Sequence, residues 1–258
     1  MAIYGTTRAN ELKATRMKIA IVGEAKVGKD WFACTAPGHV YVFDFDDRKD
    51  SLIIHPNSAN IEPKTYHDVN PMKPLAWKEF ESDVAEFQEM AARGEKVPDW
   101  FDLSSMQYMS EACMNFVLCE NKAMRKEIKS GDRVTYIPFG WDPYTLVANL
   151  IRDNIAALHT IANVICVFHE TYEKDKVAST KEQTKYTGKV DVFPVNLKKL
   201  LPLFNDQWRL VTFNGTRKVI TDISDSEFNG ATTLLLDSEE EPNITKMLEK
   251  HRSRVNGK

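Results

Sequence analysis

Gly23, Glu24, Ala25, Lys26, Val27, Gly28, Lys29 and Asp30 match the pattern G-x-x-x-x-G-K-[ST] at every specified position except the last. Two glycines at this spacing let a loop fold with its amides turned inward on phosphate oxygens, and the lysine adds a positive charge at the outer phosphates. The chemistry implied is the binding of ATP together with Mg²⁺; the plainer reading is a glycine turn beside a lysine. Asp30 is the departure. Ser or Thr usually ends the pattern because a neutral hydroxyl ligates Mg²⁺, whereas Asp30 brings a carboxylate towards anionic phosphates. Two like unit charges 4 Å apart at an effective dielectric near 20 repel by about 4 kcal/mol. Asp30 therefore either weakens the site or serves as a hard-oxygen metal ligand.

Further acids and a histidine close the apolar runs. Asp44 and Asp46 end the run HVYVFDF-D and share one face by alternation; one of them can orient or deprotonate an attacking water, or both simply solvate a turn. Asp102, after Trp100 and Phe101, can hold a metal-bound water as a Walker B acid or cap the helix that follows. His169 closes NVICVF, where it can touch a γ-phosphate or remain a hydrogen-bonded surface residue. Beyond it, residues 171–189 carry five lysines and two tyrosines with no apolar periodicity. Lys174, Lys176, Lys181, Lys185 and Lys189 suit the phosphates of single-stranded DNA and Tyr186 suits its bases, although a solvated mobile loop reads as well.

The elements that must position these groups follow from apolar spacing. Lys18–Val22 (KIAIV) and Asn163–Phe168 are short continuous apolar runs that read as strands buried on both faces, hence a parallel sheet. His39–Phe45 is a further strand, after a helix begun near Asp30 and closed by Pro37-Gly38. Residues 75–93 carry Ala76, Phe80, Val84, Phe87 and Ala91 on one stripe ending at Gly94, an amphipathic helix. Residues 104–129 read as a helix turning charged before Gly131, with 122–133 as its basic end. Asp142-Pro143 opens a helix through His159. WRLVTF and TRKVITDI flank Asn214-Gly215, a hairpin signal, and Asn243–Val255 carries Ile244, Met247, Leu248 and His251 at helical spacing. No repeat appears. The expectation is one domain over 1–258, with a polar lead-in at 1–16 and a C-terminal extension with a helix at 223–258.

Composition limits the function classes. A net charge of -3 supplies no global field to draw the chain onto nucleic acid or membrane, so any such affinity must be local. The cysteines (Cys34, Cys113, Cys119, Cys166) form no C-x-x-C pair, and two lie in apolar segments, which fits reduced thiols in a cytoplasm. The N-terminal residues lack a signal-peptide core, and no apolar run reaches 18 residues, so neither secretion nor membrane contact is expected.

With KIAIVGEAKVGKD, VYVFDFD, FDLSS, GWDPY, NVICVFHE and LPLFNDQWRLV in this order, residues 17–222 resemble the small RecA-like P-loop ATPases of bacteriophages, shortened recombinases with an AAA-type nucleotide-binding domain. The resemblance implies an α/β, RecA-like P-loop NTPase core: a mainly parallel sheet with flanking helices and a C-terminal antiparallel hairpin. It implies ATP and Mg²⁺ at the sheet's C-terminal edge. It implies DNA recombination or single-strand annealing in the host cytoplasm, alongside a phage single-strand-binding protein. By position, Gly23, Gly28 and Lys29 match Walker A, Asp46 the catalytic acid, Asp102 Walker B and His169 the sensor. A homo-oligomer is implied too, since such sites are completed by a neighbour's basic residue, for which Lys198, Lys199 and Arg209 are candidates. The competing expectations are a degenerate P-loop protein that serves DNA binding or assembly without hydrolysis, and a small-molecule kinase.

Overall fold

The computed structural model describes residues 16–131, 133–174, 186–190, 200–222 and 231–257. Its centre is a mostly parallel sheet of β1 (Lys18–Gly23), β2 (Val40–Asp44), β3 (Ile61–Thr65), β4 (Trp100–Ser104), β7 (Asn163–Lys174) and β9 (Asp206–Phe213). Across the sheet the order runs β9-β1-β7-β4-β2-β3. Beyond β9, the strands β10 (Thr216–Ile220) and β11 (Glu239–Glu240) continue it antiparallel, so the hairpin expected around Asn214-Gly215 is present. The helices are α1 (Lys29–Ala33), α2 (Ala76–Ala92), α3 (Met106–Glu120), α4 (Asp142–His159) and α5 (Ile244–Asn256). No helix among the described residues is long and apolar enough to cross a membrane.

Continuous apolar runs give strands buried on both faces because alternate side chains feed two cores. Ala20, Val22, Phe43, Phe101, Leu103, Cys166 and Phe168 pack on the side of α2, α3 and α4. Ile19, Ile21, Val42, Trp100, Ile165 and Val167 pack on the other side with Phe32 of α1 and Ile244, Met247 and Leu248 of α5. The same alternation puts Asp102 and Ser104 on the face of Trp100, towards α1, where the glycine-rich loop lies. α5 is clasped to α1: the Ile244 amide donates to Thr35 Oγ1 at 2.8 Å and Thr245 Oγ1 donates to the Thr35 carbonyl at 2.7 Å.

Two expectations are corrected. The helix read over 104–129 stops at Glu120, and the basic stretch after it is no helix end but a hairpin, β5 (Arg125–Ser130) against β6 (Arg133–Pro138). The stop has a local cause. Arg125 Nη1 donates to the carbonyls of Leu118 and Cys119 at 2.7 and 3.0 Å, satisfying groups that a further turn would have used. Gly131, at φ 60°, makes the turn. The lysine-rich segment after His169 is likewise not all loop: β7 runs on to Lys174 and pairs antiparallel with β8 (Tyr186–Val190). The edge strand β3, which carries Pro63, had no clear signal in the sequence; proline is tolerated at such an edge.

Thr35 ties two helices through one hydroxyl. Thr35→Val strands the Ile244 amide in a buried setting, and an unmet buried donor costs about 1–3 kcal/mol. Urea unfolding of the variant is expected to show that loss without a change in slope.

Candidate phosphate site

The loop between β1 and α1 is shaped by close backbone approach. A Cβ on Gly23 would lie 2.5 Å from the Leu210 carbonyl oxygen of β9, so any larger residue drives β1 and β9 apart. Lys26 and Gly28 take φ values of 66° and 95°, curling the loop before α1 starts. Glu24, Ala25 and Lys26 are exposed on its rim, while Val27 is buried beneath it.

Lys29 is buried and reaches back into its own loop, donating to the carbonyls of Gly23 at 3.0 Å and Glu24 at 2.7 Å. Its Nζ also lies 3.2 Å from His169 Nδ1. An ammonium can only donate, so Nδ1 accepts and the ring proton sits on Nε2, which faces Asp46 Oδ2 at 3.9 Å. Burial lowers the Lys29 pKa to about 8 against the opposing charge of Asp30. Adjacency of β7 and β1 puts Gly23 level with His169, and the imidazole contacts the loop lysine.

The acids form two neighbouring pairs. Asp44 accepts the Arg48 and Lys49 amides, both at 3.2 Å, and burial nevertheless raises its pKa to about 6, with Asp46 adding to the rise. Asp46 is held below the usual carboxylate range: burial opposes this, but the imidazole of His169 and the guanidinium of Arg48, 3.2 Å away, outweigh it. Asp46 is thus the more acidic member of the pair. Asp30 and Asp102 make the second pair through one hydroxyl, with Ser104 Oγ 3.1 Å from Asp30 Oδ1 and 3.2 Å from Asp102 Oδ1. A single hydroxyl proton serves only one at a time. Burial raises the pKa of both, with Asp46 adding to the rise at Asp30 and Asp30 to that at Asp102. Asp102 is no helix cap: it is a wholly buried strand residue, and Ser105 takes the N-cap position of α3. Its Oδ2 has no hydrogen-bond partner.

Of the other expected residues, Lys176, Lys181 and Lys185 lie outside the described residues, as do Lys198 and Lys199. Lys174 and Tyr186 stand opposite each other in the β7–β8 register, and Lys189 opposite Thr171. Arg209 is taken: it pairs with Glu170, Nε to Oε2 at 2.9 Å and Nη2 to Oε1 at 2.9 Å. Sequence reasoning missed Ser104, Arg48 and Arg217. Arg48 and Arg217 line a cavity of about 290 Å³ with Lys26, Gly28, Lys29 and His169. FDLSS contained the signal for Ser104, a hydroxyl two residues past an acid and hence on its face; Arg217 had none, because only the β9–β1 pairing brings it to the loop.

Among the described residues, no group of three or more His, Cys, Asp or Glu side chains is placed to hold a metal ion. No protein-family model matches the chain, and no curated protein sequence does.

Gly23→Ala tests the loop's packing. The added methyl meets a backbone oxygen that cannot swing aside, and overpacking of this kind costs about 1–3 kcal/mol. Thermal and urea unfolding should both register the loss.

Proposed function

We propose that the chain is a RecA-like ATPase that holds the triphosphate of ATP in the Gly23–Asp30 loop and acts on single-stranded DNA in recombination or strand annealing. The single observation that carries the reading is the meeting of Lys29 and His169 at 3.2 Å across adjacent strands β1 and β7. A phosphate-binding lysine and a residue able to report on the outer phosphate then share one contact. Support for the RecA-like core comes from the place of β7 between the loop strand and the strand of Asp102. The ligand edge agrees, since parallel sheets keep their ligands at the strands' C-terminal ends.

Mg²⁺ fits the residues present. It takes hard oxygen ligands, commonly one or two carboxylates with the rest from phosphate and water, and Asp102 Oδ2 is a buried carboxylate oxygen without a partner. The chemistry of Mg²⁺ there would be neutralisation of phosphate charge. Asp30, Ser104 and Asp102 would hold it. The neutral hydroxyl that Asp30 lacks stands 3.1 Å away on Ser104, which on this reading exchanges hydroxyl and carboxylate between loop and strand. Burial raises the Asp30 pKa, so a metal bound there would displace the proton of its carboxyl. Lys29 leaves its loop carbonyls for the phosphates, and Asp46, ionised beside His169, accepts a hydrogen bond from an attacking water. The DNA lies along the β7–β8 arm, whose first strand carries His169 and then Lys174, with Tyr186 and Lys189 on the second.

A second reading takes the carbonyl bonds of Lys29 at face value: a loop closed by its own lysine, holding no nucleotide, in a DNA-binding or assembly protein.

Isothermal titration with Mg-ATP separates the two. The parent is expected to bind, and Lys29→Ala to lose charge-assisted bonds worth about 1.5–3 kcal/mol, a 10- to 150-fold weakening. No binding by the parent selects the second reading; equal binding by both proteins refutes the loop assignment. The exchange of groups has its own test. Asp30→Thr alone should weaken the dependence of ATP binding on Mg²⁺, and Asp30→Thr combined with Ser104→Asp should restore it. Failure of the double variant to recover, in a chain that still melts cooperatively, counts against the exchange.

A further inference from the structure

Four cationic side chains line or rim the phosphate cavity, and three are tied or open to water in ordinary ways. Lys29 bonds to loop carbonyls, Arg48 pairs with Asp46 at 3.2 Å, and Lys26 is exposed on the rim. Arg217 differs. Its backbone is fixed by two ladders, since Arg217 pairs with Thr212 of β9 and β9 pairs with β1 from Ile19 to Val22. Its side chain crosses from the hairpin onto the loop. A Cβ at Gly28 would lie 3.1 Å from Arg217 Nη1 and 3.2 Å from Cζ, so the guanidinium rests against the bare α-carbon of the loop's second glycine.

The neighbouring cations of the hairpin have carboxylates: Arg209 has Glu170 and Lys218 has Glu239. Among the described residues no hydrogen bond or ion pair engages the Arg217 guanidinium. A planar fork of five donors, lining one cavity with a buried ammonium, is matched by tetrahedral phosphate oxygens, which accept two such bonds at once.

We propose that Arg217 is a phosphate-binding residue supplied by the chain's own C-terminal hairpin. It grips the phosphates of a nucleoside triphosphate held by the Gly23–Asp30 loop, so that this site takes its arginine in cis. The inference rests on the ATP-binding reading above. Arg209, a candidate for completing a neighbour's site, is instead committed to Glu170. Arg217 also gives Gly28 a second duty: besides its φ of 95°, the missing side chain leaves the guanidinium room to lie on the loop.

The experiment titrates the full chain with Mg-ATP and, separately, with inorganic tripolyphosphate, which has no base or sugar. Arg217→Gln is expected to weaken both ligands by about tenfold or more, the loss of one charge-assisted pair. Arg217→Lys, keeping a point charge without the fork, should lose less. Because Arg217 is exposed and unpaired with protein groups, the melting temperature of both variants should match that of the parent. If the parent binds and Arg217→Gln binds equally well, the proposal is overturned while the loop reading stands. If the parent binds neither ligand, the loop reading itself falls and the proposal with it. Mixing Lys29→Ala with Arg217→Gln chains decides between cis and trans: affinity should stay as low as in the separate variants, and its recovery to the parent's value would put Arg217 in a neighbour's site and overturn the proposal.

Discussion

A buried ammonium group at the junction of two parallel strands is the constraint from which the rest of this site follows. Removing Lys29 from water is costly, and the structure offsets that with two loop carbonyls and the lone pair of one imidazole nitrogen. Each partner makes its own demand. The carbonyls of Gly23 and Glu24 are in reach only because β1 ends against β9 with no side chain between them. The imidazole is in reach only because β7, rather than β4, lies beside β1. Its tautomer is then settled by the lysine, and the remaining ring proton is directed to the one acid at this edge whose pKa is lowered, Asp46.

The acids divide by environment more than by residue type. Asp46 lies between an arginine and a histidine and stays charged, whereas Asp30 and Asp102 share one serine hydroxyl in the interior and are pushed towards neutrality. Burial thus works against charge on the deeper pair, while Arg48 and His169 favour it on Asp46 beside β2. Under the proposed reading this arrangement admits an aspartate at a position where the usual pattern has a hydroxyl.

The elements that chain periodicity reveals are those whose partners fill a complete stripe. The stripe of Ala76, Phe80 and Val84 gave a helix over 75–93, and α2 spans Ala76–Ala92; Asp142-Pro143 gave a helix to His159, and α4 has those bounds. What escaped had no apolar signature. β5 is exposed along nearly its whole length, so its charged residues resemble the solvated end of a helix, and only the capping by Arg125 shows why α3 stops. The site divides likewise. Gly23, Gly28 and Lys29 were legible because their geometry is local to eight residues, while Ser104 and Arg217 join through strand pairings between segments far apart in the chain.

The sheet order also bears on synthesis. β1 lies in the middle of the sheet, yet both of its partners come late: β7 starts at Asn163 and β9 at Asp206. At a translation rate of about 5–20 residues per second, roughly 10–40 seconds pass between the emergence of β1 and that of β9. KIAIV has both edges open until β7 emerges and one edge open until β9 follows. A ribosome-bound chain thus displays the central strand of its own sheet as a ready site for chaperones, and the glycine-rich loop that follows has its full set of neighbours only once β9 has emerged.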